Sequence, residues 1–298
     1  MGGFGERFSL SIYLFLLCFS SFIFTRYILV YDSIILYRLM HHYQFDGIKM
    51  DMLKNIEAHR IYKKNSNGVD YFMGDLHGNY DLFIEILKKI NFDKSKDRIF
   101  SVGDLIDRGD ESFECLMLSQ NEWFIPVLGN HEEMLISSID NKYIRDIWGK
   151  NGGGWWELLD ENDKNKAVTA IIEEFTITAT IETCYGSVGL VHADYLESSW
   201  PINHSKLNKE LLKKILWGRT TISEKKIKDI NGVDLIISGH TPLKNPELIG
   251  MHVFLDTGCG HFPNELINHP KLTVAVLTET GIVCHMLGRS NYQMITLG

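Results

Sequence analysis

Five short clusters gather the residue types in this chain that could do metal and acid–base chemistry. They are GDLHGN at 74–79, GDLIDRG at 103–109, GNHE at 129–132, VHAD at 191–194 and SGHTP at 238–242. Together they offer Asp75, His77, Asp104, Asn130, His192 and His240, a set of oxygen and imidazole donors with no thiolate. That is enough for two divalent cations sharing one carboxylate. Such a set suits Mn²⁺, Fe or Zn²⁺ better than Ca²⁺, which prefers an all-oxygen shell. Paired cations roughly 3.5–4 Å apart can hold the attacking and leaving oxygens of an in-line displacement, and they lower the pKa of a shared water. A shared Asp keeps the two positive charges close, and glycines beside the ligands let the backbone crowd them.

Taken singly, each cluster has a plainer explanation. Asp75-x-His77 is also turn and cap chemistry. A lone His192 on an apolar strand is commonly a hydrogen-bonded core residue, and Gly103-Asp104 with Gly109 can simply build a turn. Asn130 is a favoured helix N-cap, and Glu133 three residues on would complete a capping box before Met134 and Leu135. What favours a site is joint occurrence: five polar clusters, each at the end of an apolar run, in one chain.

Those runs are the elements that must position the clusters. VDYFMGD (69–75), RIFSVGD (98–104) and WFIPVLGN (123–130) read as strands. The stretches after them, at 80–90, about 111–119 and from about 131, read as helices. Strands alternating with helices predict an α/β domain with parallel pairing, whose ligands assemble where strands end. The middle, about 140–185, reads as mostly helical, with NGGGWW at 151–156 a flexible turn beside aromatics. Further strand-like runs lie at 187–192, 234–238, 252–256 and 273–278, the last three spaced like a mixed or antiparallel sheet. One catalytic domain over 50–298 is the simplest division, with 1–49 as an N-terminal extension.

The 298 residues are 45% apolar and 23% charged, which is ordinary globular composition. A formal net charge of −8 argues against a nucleic-acid partner, so an anionic substrate must be drawn by a local positive feature. Cys18, Cys115, Cys184, Cys259 and Cys284 are scattered and odd in number, which fits reduced thiols in a cytosolic domain. Residues 8–25, FSLSIYLFLLCFSSFIFT, carry no charge and match the length of a membrane-spanning helix. Arg26 and Arg38 after the run, against Arg7 before it, place the body in the cytoplasm with the segment anchored in the inner membrane. Three other readings stand beside the anchor. They are a cleaved signal, which lacks a cleavage site, a partner-binding helix, and sequence upstream of a true start at Met50 or Met52.

GDLHG, GDLIDRG and GNHE followed by the later histidines resemble the calcineurin-like metallophosphoesterases of the phosphoprotein phosphatase family. NGGGWW, HADY at 192–195 and LWGR at 216–219 resemble in particular the bacterial and bacteriophage lambda-type serine/threonine phosphatases. The resemblance spans about residues 50–298 and implies an α/β fold in which a β-sandwich of mixed sheets is flanked by helices. It implies one metal on Asp75, His77 and Asp104, and a second on Asp104, Asn130, His192 and His240, with Mn²⁺ first and Fe or Zn²⁺ as alternatives. Arg108 and Arg219 would grip the phosphate as planar, bidentate guanidinium groups. His131 would protonate the leaving oxygen, with Asp107 orienting its imidazole and favouring the charged form. The implied reaction is hydrolysis of phosphoserine and phosphothreonine in proteins or peptides by direct attack of metal-bound hydroxide. Two alternatives stand: a symmetrical dinucleoside-polyphosphate hydrolase sharing GDxHG and GNH, and a non-catalytic binding module of the same fold. The Asp107-Arg108-Gly109 triplet, HADY and LWGR count against the first, and the complete ligand set counts against the second.

Overall fold

Three apolar runs that end in Gly-Asp or Gly-Asn become adjacent parallel strands. The computed structural model describes residues 53–298 apart from 203, 204 and 206. The candidate anchor at 8–25 lies outside the described residues. Among those that are described, no helix is long and apolar enough to cross a membrane. β1 (Glu57–Tyr62) is followed by β2 (Asp70–Met73), α1 (Tyr80–Lys89), β3 (Arg98–Ser101), α2 (Ser112–Met117), β4 (Phe124–Pro126) and α3 (Asn130–Ser138). Strands β2, β3 and β4 pair in parallel, and Arg98 pins the β2–β3 register with a two-pronged bond to Asp70 at 2.8 and 2.9 Å. Helix α1 buries Phe83, Ile86 and Leu87, an i, i+3, i+4 stripe that packs its inner face.

The middle contains α4 (Lys142–Lys150), a 3₁₀ turn at Gly153–Leu158 and α5 (Glu161–Glu174). The helical reading stops there, because Thr176–Glu182 (TITATIE) is a strand, β5. Only Phe175 separates helix from strand, so no Gly or Pro marks the change, and six of the seven strand residues are buried. NGGGWW is likewise folded into that 3₁₀ turn rather than a loose link.

The chain continues through β6 (Ser187–Leu190), α6 (Lys209–Trp217), α7 (Thr220–Glu224), β7 (Leu235–Ser238), β8 (Glu247–Ile249) and β9 (His252–Phe254). It ends with β10 (Leu272–Thr278), β11 (Gly281–Leu287) and β12 (Tyr292–Leu297). Two six-stranded mixed sheets result, ordered β12-β11-β10-β2-β3-β4 and β1-β5-β6-β7-β9-β8. The last three expected strand runs therefore do not share a sheet. β7 and β9 pair in parallel in one, and β10 lies antiparallel to β2 in the other. Between the sheets Phe72, Phe100, Val127 and Ala275 meet Ala179, Leu190, Ile237 and Val253 in a single apolar cluster, the core of a sandwich. Edge strands β1 and β12 went unread because EAHRIY and YQMITL carry neither a continuous apolar run nor a regular alternation, and they stay partly exposed.

Candidate metal centre

All five clusters emerge at the same edge of the sandwich, because β2, β3, β4, β6 and β7 run into it at their carboxyl ends. The loops after β2 and β3 are zipped together. Leu76 and His77 both donate backbone N–H to the Asp104 carbonyl at 3.0 Å, and Gly78 donates to Leu105 at 2.8 Å. Gly78 and Gly109 lie so close that a Cβ at either would sit 2.6 or 2.4 Å from the other's carbonyl oxygen. His77, Asp104, Asp107, Arg108 and His240 all have positive φ. Each left-handed side-chain residue costs about 1–3 kcal/mol, a strain that collects at sites held rigid by their surroundings.

Glu132 holds the third loop to the second. One carboxyl oxygen accepts N–H from Asp104 (2.9 Å) and Gly129 (3.0 Å), and the other from Leu105 (2.8 Å). This corrects the expected cap. The N-cap of α3 is Gly129, its N3 partner is Glu132, and Asn130 is the first helical residue with its side chain free for the site. Glu133 instead accepts a hydroxyl from Ser137.

Asp75, His77, Asp104, Asn130, His131, His192 and His240 are all buried. Asp104 is central: His77 Nε2 and His131 Nε2 lie 3.7 and 3.9 Å from one oxygen, and His192 Nε2 lies 3.5 Å from the other. His77, Asp104 and His131 bring ligand atoms within 4.8 Å of one another, as do Asp104, His192 and His240. Asn130 Oδ1 lies 2.8 Å from both His192 Nε2 and His240 Nδ1. The loop after β7 also reaches Asp75, whose carboxylate accepts the His240 backbone N–H at 3.1 Å.

The donor set fits metal ions. His77 Nδ1 faces the Ile106 carbonyl at 2.8 Å and His192 Nδ1 faces the Val102 carbonyl at 2.7 Å, so both rings donate outward. Burial holds both imidazoles below their ordinary pKa, so each Nε2 offers an unprotonated lone pair, that of His77 meeting the Arg108 guanidinium. For His192 that lone pair meets the Asn130 oxygen, two acceptors face to face, an arrangement that a cation between them relieves. Burial also pushes the Asp75 carboxyl well up, and the charges of Asp256 and Asp104 add to it, so positive charge is wanted there.

Asp107 and His131 form a separate pair beside this set. His131 Nδ1 is 2.5 Å from Asp107 Oδ2, which also accepts from Trp148 Nε1 at 2.6 Å, while Trp155 Nε1 donates to Oδ1 at 2.7 Å. NGGGWW thus supplies half of the Asp107 cradle. Burial pushes Asp107 up to about 7 and His131 down to about 3, with Arg108 also lowering His131. Burial thus opposes the expected charged imidazole, while the neighbouring Asp104 charge supports it.

Arg108 and Arg219 stand exposed at the mouth. Arg108 touches His77, lies 3.1 Å from His131 Nε2 and 3.0 Å from His261 Nε2, and Arg219 Nε lies 3.2 Å from His240 Nε2. Asp194 of HADY accepts both the backbone N–H (3.0 Å) and the hydroxyl (2.6 Å) of Thr221, fixing the turn that carries Arg219. Every residue expected at the site is gathered there. Asp256 was missed. It is buried after β9 with its carboxyl pushed up to about 6 by burial, and its signal was one more Asp-x-Gly at a strand end. Trp148, His261 and Glu132 were missed too, and only the full E of GNHE hinted at the last.

Residues 71–244 match the model of a family described as calcineurin-like phosphoesterase. A serine/threonine-protein phosphatase 2 from Salmonella typhimurium is 30% identical over 194 residues, covering 63% of this chain and 86% of that one. A serine/threonine-protein phosphatase 1 from the same organism is 31% identical over 202 residues, covering 67% and 90%. A symmetrical bis(5'-nucleosyl)-tetraphosphatase from Mannheimia succiniciproducens is 46% identical over 70 residues, but these cover only 23% of this chain and 25% of that one. Among solved structures, one named provisionally as a diadenosine tetraphosphatase superposes with a TM-score of 0.53 at 18% identity, covering 76% of this chain and 97% of that one. At that identity it speaks for the fold alone.

Proposed function

Because this chain belongs to the calcineurin-like phosphoesterase family, we propose that it is a two-metal phosphomonoesterase acting on phosphoserine and phosphothreonine in proteins. The observation that carries the reading is the Asp104 carboxylate lying between His77 and His192, with the Asp107–His131 pair beside it. Asp75, His77 and Asp104 would hold one ion, and Asp104, Asn130, His192 and His240 the other, with Mn²⁺ the first candidate. Such a pair supplies Lewis acidity and an acidified water.

The chain's own residues do the rest. Arg108 and Arg219, at the mouth, bind and orient the phosphate oxygens. Cys259, the nearest thiol, donates to the Leu76 carbonyl at 3.2 Å, and burial pushes its pKa up. It is no nucleophile, which leaves water to attack. His131 Nε2 faces the mouth and gives its proton to the departing oxygen. The dianionic phosphate opposes the burial and the Arg108 charge that keep the free imidazole neutral. Asp107, held by two tryptophan N–H groups, keeps the ring turned.

Protein substrates are favoured because the phosphatase-named relatives are 30–31% identical over most of their length. The symmetrical tetraphosphatase match covers a quarter of its own length, and an asymmetrical one from Anoxybacillus flavithermus, matched over 84% of its length, is 27% identical. Turnover of a phosphothreonine peptide measured against diadenosine tetraphosphate is the test. Preference for the dinucleotide by orders of magnitude would sink the reading. Residues 8–25 are the proposed tether to the cytoplasmic face of the inner membrane. Full-length protein found wholly in the soluble fraction would overturn that.

A further inference from the structure

A cavity of ≈ 260 Å³ opens beside Arg108, with none of the clustered site residues Asp75, His77, Asp104, Asn130, His192 and His240 in its wall. Its walls come from the β9–β10 connection, the β11–β12 turn and the start of α1, and they include Asn79, Arg108, His261, His269, Arg289 and Asn291. No Asp or Glu lines it, although the chain carries 38 acids against 30 bases. Glu265, on the same connection, is not in the wall. Arg289 forms no ion pair among the described residues, and the turn that presents it is closed by Gly288 donating to the Asn291 carbonyl at 2.8 Å. The β9–β10 connection is braced as well. Asn264 Oδ1 accepts N–H from Leu266 (2.9 Å) and Ile267 (3.0 Å), and Ile267 is buried. Phe262, 92% exposed, stands on the rim as an apolar surface for the organic part of a ligand.

A cationic, acid-free cavity that begins at a phosphate-gripping arginine is a place for a second negative charge on the same substrate. Resting on the phosphatase reading above, we infer that this cavity is a leaving-group subsite that receives an acidic side chain flanking the phosphorylated residue. Arg289 is its specificity-determining contact. The enzyme is thereby selective for acidic phosphopeptides, against the repulsion of its own net charge.

The test uses the metal-loaded full chain and two phosphothreonine peptides differing only in Glu or Gln beside the phosphorylated residue. p-Nitrophenyl phosphate, which lacks a second anion, is the control. The wild type should favour the Glu peptide by about tenfold in kcat/KM, the gain expected of one partly desolvated charge-assisted contact. Arg289→Gln should bring that ratio to about one while leaving p-nitrophenyl phosphate turnover within about twofold. A wild-type ratio near one, or a ratio that survives Arg289→Gln, overturns the subsite and leaves the phosphatase reading standing. If neither peptide is turned over while diadenosine tetraphosphate is, the phosphatase reading falls and the peptide occupant falls with it.

Discussion

The two sheets contribute unequally to the centre. The first gives Asp75, His77, Asp104 and Asn130 from the ends of three neighbouring parallel strands, and these carry both carboxylates of the proposed ligand set. The second gives His192 and His240 from β6 and β7, neutral imidazoles that join the site beside Asn130. The first half is joined by backbone bonds between its first two loops and by the Glu132 carboxylate. The second, bonded within itself from Gly239 N–H to the His192 carbonyl, meets the first mainly through side chains. One half therefore sets charge and geometry, and the other closes the shell.

The sharpest way to break this contrast is to touch the shared residue. Asp104→Asn should lower turnover by at least about 10³-fold and release both metals, whereas His192→Ala should release one, with metal content read by elemental analysis. Equal losses from the two variants would erase the distinction. Next comes His131→Asn, expected to cut turnover by about 10²–10⁴ while metal content stays full. Loss of one metal instead would make His131 a ligand, as its proximity to His77 and Asp104 allows.

Trp155→Phe removes one donor from Asp107 and should cost about 10–100-fold in kcat, with the pH–rate profile shifted and KM little changed. On the second half, Asp194→Ala frees the turn carrying Arg219. It should raise KM several-fold more than it lowers kcat, by about tenfold. If kcat alone fell, Arg219 would have no part in binding the phosphate.

The smallest effect lies outside the site. His59 on β1 bonds Thr178 and Thr180 at 2.9 Å, and burial lowers its pKa to about 4 from 6.5. The unfolded chain therefore takes up the proton first. The His59 contribution is whole above about pH 6.5, fades between 6.5 and 4, and is constant below. His59→Gln should flatten that part of the Tm–pH curve. An unchanged slope would mean that the ring titrates normally.

The unequal halves also explain what could be read from the chain. Asp75, His77, Asp104 and Asn130 sit in compact strand–turn–helix units, so each ligand lies beside its own glycine and apolar run. His192 and His240 were legible only because each ends a buried strand, while the helices between them gave no clue to their meeting. The cradle of Asp107 was out of reach, because Trp148 and Trp155 approach it from 41 and 48 residues away. Strand β5 was hidden for a local reason, a helix running into it without a turn.

Glu132 joins GNHE to GDLIDRG through N–H groups of Asp104, Leu105 and Gly129, and the Asp104 carbonyl in turn joins GDLHGN. The three motifs are thus one mechanical part, although they are spread along the chain from residue 74 to residue 132. A chimera that takes a single one of these loops from a relative will import side chains cut for a different frame. Exchange at this centre is viable only when residues 74–132 travel together.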